Sequence, residues 1–478
     1  MASSDVDPST GAVTVTAEVR EGEYGDKVVA VEPGGAEFIP YSDRHGKPLA
    51  LFWTWMSPNL EFATVFVGVI AVAFFGQTLL QATLAIVLGT ALGSVSHGLL
   101  GTRGPLFGVP QMIMSRIPFG FRGNILPAGL NAVTAGIGWF AVNSVSGAFA
   151  LNTLTKMPKL LCLVIVVVAQ ISIAFYGHNL VHAFERVAFP LLAVAFVLAL
   201  IVILPKASSS GAPGGQGIGG FLLTVGAAFG YAAGWNPYAS DYTRYFAKDT
   251  SPKATALWGG LGVFVSCVVL EVMGAVATSA VPKGDWGGNP TGEFTSLMST
   301  PVADLVLLAI AIGAISANAI NVYSGTMSFL ALGVDLPLHL RRAIVALGFG
   351  VLGFLLAWNG LSDVSKYENF LLVFAYWIGP WLGVVFTDWL LRRGHRVDGF
   401  LFDRKHNPWA GFAAMAIAMV VSIWLFSNQT QYKGIVPSKN DSFGDIAFEV
   451  GFVLAAALYY TFFKLQKDRT DEVLVLPS

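Results

Sequence analysis

Trp139 and Asn143 stand four residues apart in the run Gly138-Trp139-Phe140-Ala141-Val142-Asn143-Ser144. On a helix that spacing puts both side chains on one face, a flat indole beside an amide that donates and accepts. Such a pair suits a planar heterocycle, whose ring stacks on the indole while the amide reads its polar edge. The competing reading makes Trp139 a membrane-interface anchor. A second indole, Trp235, lies in Gly230-Tyr231-Ala232-Ala233-Gly234-Trp235-Asn236-Pro237, and the run from Ala314 to Ser324 holds Ser316, Asn318, Asn321 and Ser324. In lipid an unmatched amide is expensive, so these groups must face protein, water or a ligand. Interhelical hydrogen bonding is the alternative. Glu61 and Glu271 are the acids placed well inside apolar runs. Intramembrane carboxylates are proton-relay candidates, and a structural hydrogen bond is the competing role.

The elements that position these residues must be membrane helices. The chain of 478 residues is 54% hydrophobic and 12% charged, with a mean hydropathy of +0.64, which requires a bilayer as solvent. At ~20 apolar residues per crossing, the sequence offers about twelve spans. They lie near 51–75, 80–100, 125–152, 160–177, 187–204, 218–240, 256–281, 302–333, 340–358, 367–391, 410–427 and 444–463. Stretches such as Leu160 to Gln170 are apolar all round rather than alternating, which excludes a β-barrel. The expected class is all-α and polytopic.

Of the 28 Lys and Arg, only Lys156, Lys159, Lys206, Lys283, Lys366, Lys433 and Lys439 fall in loops on the side opposite the termini. By the positive-inside rule both termini are cytoplasmic, in a multi-pass protein of the plasma membrane. The first 48 residues are polar and acidic without an apolar h-region, and read as a disordered cytoplasmic tail rather than a signal peptide.

Three spans carry helix-breaking or polar residues at mid-depth: Ser57-Pro58-Asn59-Leu60-Glu61 with Gly68 in the first, Gly230 to Pro237 in the sixth, and the Asn-rich stretch of the eighth. Unwound backbone in a membrane implies a lined cavity. The first two breaks correspond if spans 1–5 and 6–10 are inverted repeats, which would put a substrate site at the midplane between them.

Other chemistry is excluded. Cys162 and Cys267 lie in apolar spans with no metal-ligand spacing, so they read as inert thiols, and no metal site is expected. No phosphate-cradling loop, HExxH or GxSxG occurs, and the histidines are scattered, so no catalytic residues are expected and an enzyme is disfavoured. No basic-aromatic patch points to nucleic acid. A channel would favour rings or symmetry that a single chain does not show.

Four blocks resemble the nucleobase:cation symporter-1 family, in its purine-cytosine permease (cytosine permease-like) branch. They are Trp55-Met56-Ser57-Pro58-Asn59; Gly108 to Gln111 through Ser115-Arg116 and Phe119 to Asn124; Ile137-Gly138-Trp139 through Asn143; and Gly234-Trp235 through Ala239 to Tyr245. The similarity covers about residues 45–430. It implies the broken-helix, inverted-repeat fold of amino-acid/sodium symporters, with twelve transmembrane helices of which helices 1 and 6 are broken. It also implies alternating access and nucleobase import by cation symport. Trp139 and Trp235 would sandwich the ring, Asn143 and Asn321 would bind its edges, and Gly234 would let it approach the backbone. Asn143 beside Trp139 looks more like purine-cytosine permeases than like hydantoin carriers and favours cytosine or purines, with a carrier of hydantoin, allantoin, a pyrimidine vitamin precursor or an amino acid as the alternative. Sodium-coupled members use two adjacent hydroxyls of helix 8. Here the matching pair is Ile315-Ser316, so Ser316 supplies one hydroxyl, and a proton carried by Glu61 becomes the alternative.

The implied organisation is a tail over 1–48, a first repeat over 49–204, an extracellular loop over 205–217 and a second repeat over 218–391. Helices 11 and 12 with a preceding cytoplasmic loop follow over 392–464, and a cytoplasmic tail over 465–478. Expected partners are a nucleobase and the lipid bilayer, in a monomer or weak oligomer with no cofactor beyond the coupling ion, H+ or Na+. Arg116 and Arg122 read as positive-inside loop residues, and Asp241 and Arg244 as a pair stapling the cytoplasmic end of helix 6.

Overall fold

The structure, a computed structural model, describes residues 37–176, 178–208, 217–334, 338–361 and 366–466. Of the tails expected over 1–48 and 465–478, residues 1–36 and 467–478 lie outside the described residues, as do residues 209–216 of the extracellular loop expected over 205–217. The described residues are helical, with one isolated bridge between Asn428 and Lys433. The principal helices are α1 (Ala50–Asn59 and Phe62–Phe74), α2 (Leu79–Gly101), α3 (Ile125–Thr155), α4 (Lys159–Tyr176), α5 (His178–Ile203) and α6 (Gly217–Thr243). They continue with α7 (Pro252–Ala280), α8 (Thr300–Ala331), α9 (Leu338–Gly360), α10 (Lys366–Leu391), α11 (Ala410–Phe426) and α12 (Ala447–Leu465). Eight helices among the described residues are long and apolar enough to cross a membrane, and the bent α1 makes a ninth. Shorter apolar helices at Lys159–Ile173, Leu347–Gly360 and Ala410–Phe426 occupy the other three predicted spans.

Local sequence sets these helices. Thr78 caps α2 reciprocally with Gln81, satisfying N–H groups that a helix start leaves unpaired. Leu80, Leu84, Leu88, Leu92, Val95 and Leu99 form one exposed apolar stripe along α2, the face a bilayer requires.

In α1, Pro58 sits in a tight turn at Ser57–Asn59, and Glu61 is extended at φ −147°, ψ 171°. Pro lacks the N–H that would continue the ladder. The two halves of α1 diverge by 66°. In α6 the α-helix ends at Ala233 and resumes at Ala239 after a 3-10 turn at Asn236–Tyr238, while the whole keeps one course from Gly217 to Thr243. The expected unwinding of the eighth span is corrected: α8 runs unbroken for 32 residues. Asn318, near its middle, is satisfied by the Phe140 carbonyl of α3 without a break in the helix. The third span instead contains a π-helical segment at Thr134–Trp139, ending on the predicted stacking residue. Such segments displace the face that follows.

Small residues set the packing. A Cβ on Gly68 of α1 would stand 1.7 Å from the Glu271 carbonyl of α7, and one on Gly274 of α7 would stand 1.9 Å from the Val65 carbonyl of α1. Helices α1, α2, α6 and α7 pack together, α8 packs along α3, α4 and α5, and α10 packs along α6 and α12. Backbone approach of this kind is how membrane helices gain contact without a hydrophobic drive between them.

Residues 37–48, expected within the disordered tail, are instead held against the body of the protein. The Ile39 N–H donates to Gly108 at 2.9 Å, and Arg44 donates to the Pro105 carbonyl at 2.6 Å. Burial lowers the Arg44 guanidinium to about 10.

Candidate functional site

The break in α1 leaves Asn59, Leu60 and Glu61 facing the interior, all buried. Asn59 holds the break from both sides: its Nδ2 donates to the Trp55 carbonyl at 2.7 Å and to Ser266 of α7 at 3.0 Å, and its Oδ1 accepts from the Trp235 indole at 2.8 Å. Thr64 donates to the Asn59 carbonyl at 2.6 Å and shares a short hydroxyl contact with Tyr231 of α6.

Trp139 and Trp235 are each only 6% exposed, so neither is a lipid-facing anchor. Trp139 is boxed by aromatic rings, edge-on to Tyr231 at 5.3 Å and Phe370 at 5.1 Å, with Tyr367 at 6.1 Å and Phe374 at 5.7 Å between centroids. A Cβ on Gly234 would come within 3.2 Å of the Trp139 Nε1. The interruption of α6 therefore touches the face of α3 that the sequence marks. Trp235 leans on Trp55 at 5.9 Å and Tyr238 at 5.8 Å.

One turn beyond Trp139, Asn143 joins an amide cluster. Its Nδ2 donates to Asn318 Oδ1 at 3.0 Å, Asn321 Nδ2 donates to the same oxygen at 3.3 Å, and Asn318 Nδ2 donates to the Phe140 carbonyl at 2.8 Å. Asn321 Oδ1 is buried without a hydrogen-bond partner. Asn143 Oδ1 lies 3.1 and 3.2 Å from the carboxyl oxygens of Glu61, which also accepts from the Tyr231 hydroxyl at 3.1 Å. Trp139, Asn143, Gly234, Trp235, Asn321 and Glu61 thus form one connected region.

Ser316 is buried, and its hydroxyl has no partner. It lies one turn from Gly313, whose absent Cβ would stand 2.5 Å from the Leu60 carbonyl. Residues three apart share a helix face, so Ser316 points toward the α1 break. Glu271 stands apart from the cluster, accepting from Thr90 of α2 at 2.9 Å. Cys162 and Cys267 are free and buried.

A cavity of about 170 Å³ opens beyond Trp139. Its walls include Phe62 and Phe66 of α1, Gly138 and Phe149 of α3, Asn359 of α9, and Tyr367 and Phe370 of α10. Tyr367 and Phe370 divide it from Trp139 and belong to both sets. It lies toward the face that carries Lys366, opposite Arg244 and Arg392.

Sequence reasoning missed Asn59, Tyr231, Asn318, Tyr367 and His97 as members of this region. Asn59 and Asn318 lay inside segments already marked by their polar residues. Tyr367 carries no local signal. His97, expected among scattered loop histidines, is buried edge-on to Trp55 at 4.3 Å, while neighbouring Ser96 accepts from Asn236 at 2.7 Å. Arg116 is likewise no surface loop residue. It is buried, donates to the Leu401 carbonyl at 3.1 Å and the Ala331 carbonyl at 2.8 Å, and burial pulls its guanidinium down to about 10. Asp241 accepts from the Gln111 N–H at 3.0 Å, and Arg244 reaches the Tyr323 hydroxyl at 3.2 Å, so both tie α6 to other elements.

Comparison with known proteins gives this geometry its context. Residues 38–451 match a family described as permease for cytosine/purines, uracil, thiamine, allantoin. YxlA of Bacillus subtilis, named for a purine-cytosine permease, is 29% identical over 449 residues, covering 91% of this chain and 96% of its own. The purine-cytosine permease fcyB of Emericella nidulans is 26% identical over 468 residues, with 91% of each chain covered. The hydantoin permease of Microbacterium maritypicum is 24% identical over 419 residues, covering 80% of this chain and 82% of its own. Among solved structures, Mhp1, a nucleobase-cation-symport-1 family transporter in a closed conformation with bromovinylhydantoin bound, aligns at a TM-score of 0.71 and 20% identity, covering 91% of this chain and 95% of that one. Its inward-facing conformation aligns at 0.70, covering 91% and 94%. The all-helical arrangement is therefore that of Mhp1, and the chain belongs to the membrane permease family for cytosine/purines, uracil, thiamine and allantoin.

Proposed function

We propose that this protein imports a nucleobase, cytosine or a purine, across the plasma membrane by cation symport with alternating access, as a monomer or weak oligomer with cytoplasmic termini. The observation that carries the reading is the meeting of the Trp139 indole with the α6 interruption at Gly234, one turn from the amide cluster of Asn143, Asn318 and Asn321. A flat solute stacks on Trp139 and Trp235, while the amides match its lactam or amidine edge. The unpartnered Asn321 Oδ1 is an acceptor for a ligand N–H. The names of the relatives support this substrate class.

A second reading, a hydantoin-type solute carrying a large substituent, is favoured by the apolar cavity beyond Trp139 and by the hydantoin permease relative. Counterflow in proteoliposomes separates the two. Labelled cytosine exchanging against adenine or hypoxanthine but not against hydantoins supports the first, and the reverse pattern overturns it. Ser316 and Glu61 are the candidate coupling residues, for sodium and for a proton respectively. Loss of sodium-dependent uptake in Ser316→Ala would assign the ion to the hydroxyl.

A further inference from the structure

Buried amides cannot choose their direction when one end of their chain is anchored. Asn318 Nδ2 donates to the Phe140 carbonyl at 2.8 Å, and a carbonyl oxygen can only accept. Asn318 Oδ1 therefore points the other way, taking Nδ2 of Asn143 at 3.0 Å and Nδ2 of Asn321 at 3.3 Å. With its N–H turned to Asn318, Asn143 presents its oxygen to Glu61, 3.1 and 3.2 Å from the two carboxyl oxygens. An amide oxygen and an ionised carboxylate are both acceptors, so this buried contact stands only when Glu61 carries a proton.

The opposite polarity fails at the other end. Turning Asn143 so that its nitrogen meets Glu61 puts its oxygen 3.0 Å from Asn318 Oδ1. Turning Asn318 as well then sets its oxygen 2.8 Å from the Phe140 carbonyl.

We propose that Glu61 carries the coupled cation, a proton, and that this proton closes the outer end of the amide chain whose direction the Phe140 carbonyl sets, from Asn143 through Asn318 to Asn321, the edge that reads the solute. The proposal rests on the nucleobase reading above and specifies its coupling. The groups facing Glu61 agree with it. Tyr231 of α6 donates at 3.1 Å, Tyr367 of α10 gives its hydroxyl to the Ala63 carbonyl at 3.1 Å, and α7 contributes Cys267, with Glu271 further along the same helix. From α8 comes Gly313, whose absent Cβ would lie 3.3 Å from the Glu61 Cβ. None of these groups is a cation that could neutralise an ionised Glu61. Loss of the proton toward the cytoplasm breaks the chain of amides and releases the solute, one proton per solute.

The test uses the purified full-length chain. Labelled cytosine or adenine binding, measured without sodium from mildly acidic to mildly basic pH, is expected to weaken about tenfold per pH unit once Glu61 ionises. Binding in weakly buffered solution is expected to take up about one proton per ligand over the same range. In Glu61→Gln the amide Nε2–H donates permanently to Asn143, so binding loses its pH dependence, and an inward proton gradient no longer drives accumulation in proteoliposomes. Proton uptake is read on the unmodified chain, so it decides the matter even if the variant misfolds. No proton uptake with pH-independent binding, or accumulation by Glu61→Gln under a proton gradient, overturns the proton assignment while nucleobase counterflow by the unmodified chain leaves the substrate reading standing. Absence of any nucleobase binding and counterflow in the unmodified chain overturns both.

Discussion

Asn59 Oδ1, in the break of α1, accepts a hydrogen bond from the Trp235 indole at the interruption of α6, at 2.8 Å. This bond joins the two irregular segments on which the site depends. Asn59→Ala would leave the buried indole N–H and the Trp55 carbonyl unpaired, at a cost of roughly 1–3 kcal/mol each. The expected result is a lower melting temperature and weaker nucleobase binding. Thermal unfolding and ligand-induced shift measure both, and an unchanged ligand response would detach Trp235 from the site.

Two glycines predict different failures. At Gly234 a Cβ would stand 3.0 Å from the Tyr231 carbonyl and 3.2 Å from Trp139 Nε1, a tight but yielding contact. Gly234→Ala should therefore fold and bind solute more weakly, because the indole shifts. At Gly68 the Cβ would stand 1.7 Å from the Glu271 backbone, which cannot move without separating α1 from α7. Gly68→Ala should lose several kcal/mol, in line with overpacking at its upper end, and yield little monodisperse protein on size exclusion. Equal yields would contradict the close crossing.

Trp139→Ala removes the stacking surface and opens a cavity among Tyr231, Tyr367 and Phe370. Asn321→Ala removes the buried acceptor left unpartnered in the protein. Each should weaken binding by roughly 1–3 kcal/mol or more, while the helices still insert. Radioligand binding on purified protein checks this, and near-normal affinity in both variants would end the stacking model.

Arg116 satisfies two carbonyls, of Leu401 and Ala331, that belong to different parts of the chain. Arg116→Ala leaves both unpaired, at roughly 1–3 kcal/mol each. Thermal stability should fall while the affinity of the remaining folded protein for solute is unchanged. A surface role would leave the melting temperature where it was.

The amino-acid sequence by itself determined the solvent and the elements. Its apolar runs fix membrane helices, Pro58 and the Gly234 to Pro237 segment fix where α1 and α6 lose regularity, and the spacing of Trp139 and Asn143 fixes their shared face. These are local properties, set within a few residues by backbone chemistry and helical period. The polar residues of the eighth span misled for the same reason. Locally they read as a break, yet partners on α3 satisfy Asn318 within an unbroken helix.

Only the tertiary structure decided which local features meet. Asn59 finds Trp235, Glu61 finds Asn143, and Tyr367 closes on Trp139, because glycines let the backbones of α1 and α7 approach within contact and so bring the α1 break against α3, α6 and α8. Amide direction is also invisible in a sequence. It follows from a carbonyl of Phe140 that can only accept, and the proton on Glu61 follows in turn.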